Sequence, residues 1–286
     1  MTPFPRLPST KISAVVSDVD GTLVTNEKIL TARAQAAVAE LHARGIIFTI
    51  ISSRPPRGLC MLLDRLEITT PIGSFNGGVL ASPDLAVITE HLLSPEIARR
   101  AVNMLDAHQV QVWVFSGQDW LVRDLDAPYV EHEKRTVGFP PTLVEEFGDI
   151  LDVAAKIVGV SKDFELLAQC ERDGHATFAD QASVARSQRY YLDITHPLAN
   201  KGVALLELAK LLEIPVAEIA VIGDGGNDVA MFERSGLSIA MGNASPEVRR
   251  AADFVTDSNR EDGFANAMER FILDHNRSNA RVGDRA

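Results

Sequence analysis

The stretch that decides the fold runs from Ile12 to Val24 and reads Ile-Ser-Ala-Val-Val-Ser-Asp-Val-Asp-Gly-Thr-Leu-Val. Ile12 to Ser17 is short, apolar and rich in β-formers, the pattern of a buried strand. It ends in two aspartates one residue apart, Asp18 and Asp20, and then Gly21-Thr22. In an open α/β sheet, ligands bind beyond the carboxyl ends of the strands, so this stretch sets two carboxylates at such an edge. A carboxylate there can attack a phosphoryl group and form an aspartyl-phosphate. A second one can move protons, and both can face a hard cation. Taken alone, Asp-Val-Asp-Gly also suits a plain turn after a strand, so the rest of the chain has to decide.

Downstream, Thr31 to Arg44 carries apolar residues at helical spacing, with Thr31 as N-cap and Gly45 as stop. Ile46 to Ile51 follows as a strand apolar on both faces, as in a parallel sheet covered by helices. Strand, helix, strand is the βαβ unit. This second strand ends in Ser52-Ser53-Arg54-Pro55-Pro56. A hydroxyl at a strand tip beside a helix start suits phosphate oxygens, and it equally suits a simple helix cap. Pro71 to Ser74 reads as a third short strand before Phe75-Asn76-Gly77-Gly78, and Val79 to Ala81 with Ala86 to Thr89 as hairpin arms.

The texture then changes. A helix from Ser94 to about Ala107 leads into strand-like runs at Gln111 to Phe115, Trp120 to Val122, Ala154 to Val160, His175 to Ala179 and Arg189 to Thr195. Helical stretches are expected at Asp126 to Lys134 and at Lys162 to Glu171. Paired strands with occasional helices predict an α+β unit inserted over residues 84–195. The βα pattern resumes with Lys201-Gly202 opening a helix. The strand Glu218 to Ile222 then ends in Gly223-Asp224-Gly225-Gly226-Asn227-Asp228, repeating the logic of the first stretch. The tail from Asn276 to Ala286 lacks apolar periodicity and is expected to fray.

Composition bounds the function. The chain has 286 residues, 46% hydrophobic and 23% charged, and a formal net charge of −11. That balance is ordinary for a globular protein and disfavours a nucleic-acid backbone or an anionic membrane surface as partner. No run approaches the roughly 18 apolar residues of a membrane span. Met1 to Thr10 does not read as a secretory signal. The two cysteines, Cys60 and Cys170, have no metal-ligand spacing and are expected as buried thiols in a reducing, cytoplasmic setting.

Four signals therefore stand in order: Asp18-x-Asp20-Gly21-Thr22, Ser52, Lys201, and Gly223-Asp224-x-x-Asn227-Asp228. In this order the chain resembles the haloacid dehalogenase-like superfamily of phosphohydrolases, and within it the Cof-type branch with a large inserted cap. The resemblance implies an α/β fold: a Rossmann-like core with a parallel sheet over residues 1–83 and 196–286, and an α+β cap over 84–195. It implies Asp18 as nucleophile and Asp20 as general acid/base. It implies phosphoryl contacts from Ser52, Ser53, Lys201, Asn227, Gly21, Thr22, Asn76 and Gly77, and a Mg2+ site at Asp18, Asp20, Asp224 and Asp228. Ser53 departs from the glycine usual at its place and adds a side chain where backbone would approach phosphate. The expected activity is hydrolysis of a small phosphorylated metabolite, such as a sugar phosphate, by a monomer or homodimer. A phosphotransferase or phosphosugar mutase of the same superfamily, and a catalytically idle binding module, are the alternatives. Arg123, Arg189 and Tyr191 are candidate substrate contacts in the cap.

Overall fold

A computed structural model describes residues 11–274. Met1 to Thr10 and the expected frayed tail Asn276 to Ala286 lie outside the described residues. Strand β1 (Ala14–Ser17) is buried throughout. Helix α1 (Ala32–Ala43) starts where the Thr31 hydroxyl accepts a hydrogen bond from the Ala34 amide at 3.1 Å. Ala34, Ala37, Val38 and Leu41 form its buried stripe, the spacing of one helix face. Strand β2 (Ile47–Ile50) lies parallel to β1. Pro55-Pro56 turn the chain into α2 (Cys60–Arg65), whose Cys60 is only half-buried, against expectation, while Cys170 is buried.

The third short strand, β3 (Ile72–Ser74), does not extend the parallel sheet as a full neighbour. It touches it through one parallel bridge, Ile51 to Gly73. Even there the approach is close, since a Cβ on Gly73 would sit 3.0 Å from the Ile51 side chain. Its main partner is β4 (Val79–Ala81), which also pairs with β5 (Val87–Glu90), making a three-stranded antiparallel sheet.

The inserted unit opens with α3 (Pro95–Ala107), capped by Ser94. It continues through β6 (Gln111–Ser116), β7 (Asp119–Val122), α4 (Val130–Val137), β8 (Thr142–Leu143), β9 (Lys156–Val160), α5 (Phe164–Phe178), β10 (Ser183–Gln188) and β11 (Tyr191–Thr195). The strands form one sheet in the order β10-β11-β9-β6-β7-β8, antiparallel except for β7 with β8. His175 to Ala179, expected as a strand, is largely the last turn of α5. Leu167, Cys170, Gly174 and Phe178 are its buried residues, and that 3-4-4 spacing carries the helix past Glu171. One sheet face packs on α3 and α5 around Leu105, Val112, Leu167 and Ile194. The other carries Trp113, Phe115 and Trp120, which pack with Phe75 of the first segment.

The chain then returns through α6 (Lys201–Leu211), β12 (Ile219–Gly223), α7 (Val229–Phe232), β13 (Leu237–Ala240), α8 (Pro246–Ala251), β14 (Phe254–Val255) and α9 (Gly263–Ala267). The principal sheet has the order β14-β13-β12-β1-β2 and is parallel at every pairing. The fold is thus α/β, a parallel sheet between helices with an additional α+β cap sheet. Strand β1 sits between β2 and β12, so three strand tips with polar sequences lie side by side. Among the described residues, no helix is long and apolar enough to cross a membrane.

Candidate active site

Register places the first and last of the four motifs together. Ser17 pairs with Ile222, and the Asp18 amide donates to the Ile222 carbonyl at 2.9 Å. The residues after each strand, Asp18 and Asp224, therefore emerge next to each other. Lys201 enters from the first turn of α6, where the Asn200 side chain caps the helix. Its ammonium is fully buried and donates to Asp18 Oδ1 and, at 2.6 Å, to Asp228 Oδ1. The second Asp228 oxygen accepts the Asp224 and Gly225 amides, each at 2.8 Å. Asp224 is held from two sides. Thr22 Oγ1 donates to it at 3.2 Å, and Asn243 Nδ2 donates to it at 2.9 Å and to the Gly21 carbonyl at 3.0 Å. Gly21 has φ +88°, and a Cβ there would fall 2.3 Å from Asp224 Oδ2, so only glycine lets this loop pass so near the carboxylate.

Oxygens of Asp18, Asp224 and Asp228 lie within 4.8 Å of one another. Burial pushes the Asp18 carboxyl up to about 8; Lys201 opposes the rise, while Asp228 and Asp224 add to it. Burial and the neighbouring Asp228 push Asp224 up to about 6. Burial works against the Lys201 charge, but Asp18 and Asp228 outweigh it and hold its pKa above the ordinary lysine value. Three carboxylates share one ammonium, an excess of negative charge in a buried site.

Asp20 is not part of that group. Its carboxylate turns away to Arg54, whose Nε and Nη2 donate at 2.8 and 2.6 Å, and to Lys28 Nζ at 2.7 Å. Burial opposes the charge on Asp20, but the Arg54 hydrogen bonds and the two cations outweigh it and hold the carboxyl well below its ordinary range. The expected four-carboxylate cluster is therefore three carboxylates by side chain, with Asp20 drawn off by two cations. Asp228, with both oxygens already engaged, orients Lys201 and the Asp224 loop.

A cavity of about 570 Å³ opens over these groups and is lined by Asp18, Asp20, Ser53, Asn76, Asp224 and Asn227. Asn227 Nδ2 donates to Asn76 Oδ1 at 2.9 Å, joining two of the expected contacts into one bridge. Ser52 is buried, and its hydroxyl accepts the Arg54 amide at 3.2 Å. Its hydroxyl therefore shapes the loop, while Ser53 faces the cavity. Thr22 acts on Asp224 rather than on the cavity, and Gly77 packs against Ala204 of α6. Arg54, Lys28 and Asn243 join the site without being among the expected residues. Arg54 was legible in the second motif, and Asn243 follows β13, a third parallel strand tip where the same rule points. In the cap, Arg123 pairs with Asp106 at 3.1 Å and lies over the Phe147 ring, and Arg189 lies over Phe164. Both are structural in place. Tyr191 does reach the cavity, its hydroxyl donating to Glu133 at 3.1 Å.

Residues 15–268 match the family model described as haloacid dehalogenase-like hydrolase. The chain belongs to this haloacid dehalogenase-like hydrolase family. A Haemophilus influenzae relative is 29% identical over 260 residues, covering 90% of this chain and 97% of its own length. A Bacillus subtilis 5-amino-6-(5-phospho-D-ribitylamino)uracil phosphatase is 27% identical, covering 92% of this chain and 98% of its own length. Among solved structures, a haloacid dehalogenase-like hydrolase from Bacteroides thetaiotaomicron superposes with a TM-score of 0.83 at 28% identity, over 91% of this chain and 99% of that one. The hydrolase is a Cof-type phosphatase, and its acidic cluster matches the divalent-metal chemistry general to haloacid dehalogenase-like phosphatases.

Proposed function

We propose that this hydrolase cleaves small phosphorylated metabolites, sugar phosphates among them, through an aspartyl-phosphate on Asp18 with Mg2+ as cofactor. One observation carries the reading: Asp18 and Asp224 face one cavity, with Lys201 beneath them and Asp20 at its edge. An all-oxygen donor set with surplus negative charge fits a hard divalent cation, and Asp18 and Asp224 are the residues that would hold it. A cation there neutralises charge on the transferring phosphoryl oxygens. In the first step an Asp18 oxygen attacks phosphorus, the ester P–O bond breaks, and the leaving oxygen takes a proton from Asp20. In the second, water attacks phosphorus, gives its proton to Asp20, and the Asp18–phosphorus bond breaks to release phosphate. Arg54 and Lys28 hold Asp20 ionised in the free protein, the form needed for the second step. Arrival of an anionic phosphate opposes that effect by like-charge repulsion and favours the proton needed for the first.

The proposed domain division makes residues 84–195 a cap over the core cavity. β5, inside that span, is hydrogen-bonded to β4, and the His91 amide still bonds the Gly78 carbonyl while the Leu93 amide bonds the Ala154 carbonyl. These bonds support a cap that begins near Leu92, a few residues after the expected boundary. The experiment is phosphate release from a panel of phosphorylated sugars, polyols and nucleotides with Mg2+ and after chelation. Metal-dependent release is expected. Undiminished release after rigorous metal removal would sink the roles given to Asp18 and Asp224 as ligands.

A further inference from the structure

The cap wall of the cavity carries a second polar cluster that the chemistry above does not use. Lys156, the first residue of β9, and Asp193, on the neighbouring β11, are both buried, each side chain 8% exposed. The two strands are paired, with Asp193 opposite Val158 and Lys156 opposite Thr195. Lys156 Nζ lies 3.6 Å from Asp193 Oδ2, an ion pair too long for a hydrogen bond. Its only hydrogen bond among the described residues is a long one, 3.4 Å, to the Ser53 carbonyl of the core. It also faces the rings of Phe115 and Phe75. Both Asp193 oxygens are buried and, among the described residues, accept no hydrogen bond. Both residues line the same cavity as Asp18.

Buried carboxylates in native proteins are almost always hydrogen-bonded, and an exception calls for an explanation. Here an ammonium with unused N–H groups stands beside a carboxylate with unused lone pairs, on neighbouring strands, lining the cavity that also holds the proposed nucleophile. We propose that Lys156 and Asp193 form the subsite for the leaving group, and that they select a polyhydroxylated one, a sugar or sugar alcohol bearing a single phosphate. This rests on the phosphatase reading given above. Lys156 requires a lone pair from the ligand and Asp193 requires a proton. A hydroxyl offers both, and two neighbouring hydroxyls serve the two side chains at once. A ligand ammonium has no lone pair for Lys156. A second phosphate or carboxylate has no proton for Asp193 and is repelled by it and by nearby Glu133. The Lys156 hydrogen bond to the Ser53 carbonyl ties the cap subsite to the core loop.

The test uses the full-length enzyme with Mg2+ and compares kcat/KM for hexose and hexitol monophosphates, a monodeoxy analogue of the best of them, phosphoethanolamine, a hexose bisphosphate and p-nitrophenyl phosphate. Wild type should favour the hydroxylated monophosphates and lose on the order of 10–100-fold on the deoxy analogue, the worth of a hydrogen bond to a charged group. Lys156→Met and Asp193→Asn should each lose ~100-fold on the best hydroxylated ester but only several-fold on p-nitrophenyl phosphate, and Asp193→Asn should no longer distinguish the deoxy analogue. Equal losses on both esters would reduce the pair to a structural role and overturn the proposal. So would a wild-type preference for phosphoethanolamine or the bisphosphate, a comparison that stands even where a variant fails to fold. Turnover of p-nitrophenyl phosphate without any preference for hydroxylated esters would refute this subsite alone. No turnover of any phosphate ester would refute the phosphatase reading beneath it.

Discussion

Replacing Arg54 by Met removes the group that aims Asp20, and the structure sets the size of the effect. Arg54 is 6% exposed and grips Asp20 through two hydrogen bonds, at 2.8 and 2.6 Å. Breaking a buried pair by removing one partner costs about 3–5 kcal/mol. Asp20 keeps Lys28 at 2.7 Å and is itself 22% exposed, so the lower end, ~3 kcal/mol, is the appropriate figure. For a chain of this size that corresponds to a fall in Tm of roughly 5 °C. The pH dependence has a definite sign. Arg54 and Lys28 depress the folded-state pKa of Asp20, so their contribution is present above the unfolded carboxylate value and is lost as pH falls through the folded one. The deficit of Arg54→Met should therefore be full at neutral pH and shrink below about pH 4. Urea denaturation of both proteins across that range measures it, and kcat should drop about 10–100-fold as the acid/base loses its aim. A Tm within 1–2 °C of wild type, roughly the shift below 1 kcal/mol, or a deficit that does not change with acidity, would show that this pair does not anchor Asp20.

Asp18→Asn should abolish turnover while keeping a cooperative thermal transition, because an amide is a far poorer nucleophile; wild-type turnover would exclude the covalent mechanism. Metal binding should raise Tm more as pH increases from 5 to 9. Asp18 and Asp224 are raised to about 8 and about 6, so their metal-free contribution is full in acid and lost as pH rises through those values; a metal-induced shift that is flat with pH would contradict it. Gly21→Ala should weaken metal binding at least ~10-fold by calorimetry, since its Cβ would meet Asp224 Oδ2 and a side chain at φ +88° costs about 1–2 kcal/mol. Unchanged affinity would mean that Asp224 is not the ligand.

Much of this protein is legible in its sequence. The apolar run ending in Asp18 and its echo ending in Asp224 identify two strand tips, because buried parallel strands leave an unmistakable local pattern. The α/β class, the inserted α+β unit and the gathering of Asp18, Asp224 and Lys201 follow from local periodicity and the rule that strand tips bind ligands. What the chain alone could not decide is which way each side chain turns once its neighbours arrive. Asp20 sits two residues from Asp18 and is expected in the same cluster, yet Arg54 and Lys28 draw its carboxylate off to the cavity edge. His175 to Ala179 reads as a strand when taken by itself, but Phe178 continues the helical spacing of Leu167, Cys170 and Gly174, and that face packs against β10, where Gly174 meets Val184. Lys156 and Asp193 were invisible for a related reason: 37 residues separate them in sequence, and only the pairing of β9 with β11 makes them neighbours. Local sequence determines which strands form and where they end. The partner of each buried charge is a long-range choice, settled only when the folded interior removes water as an alternative.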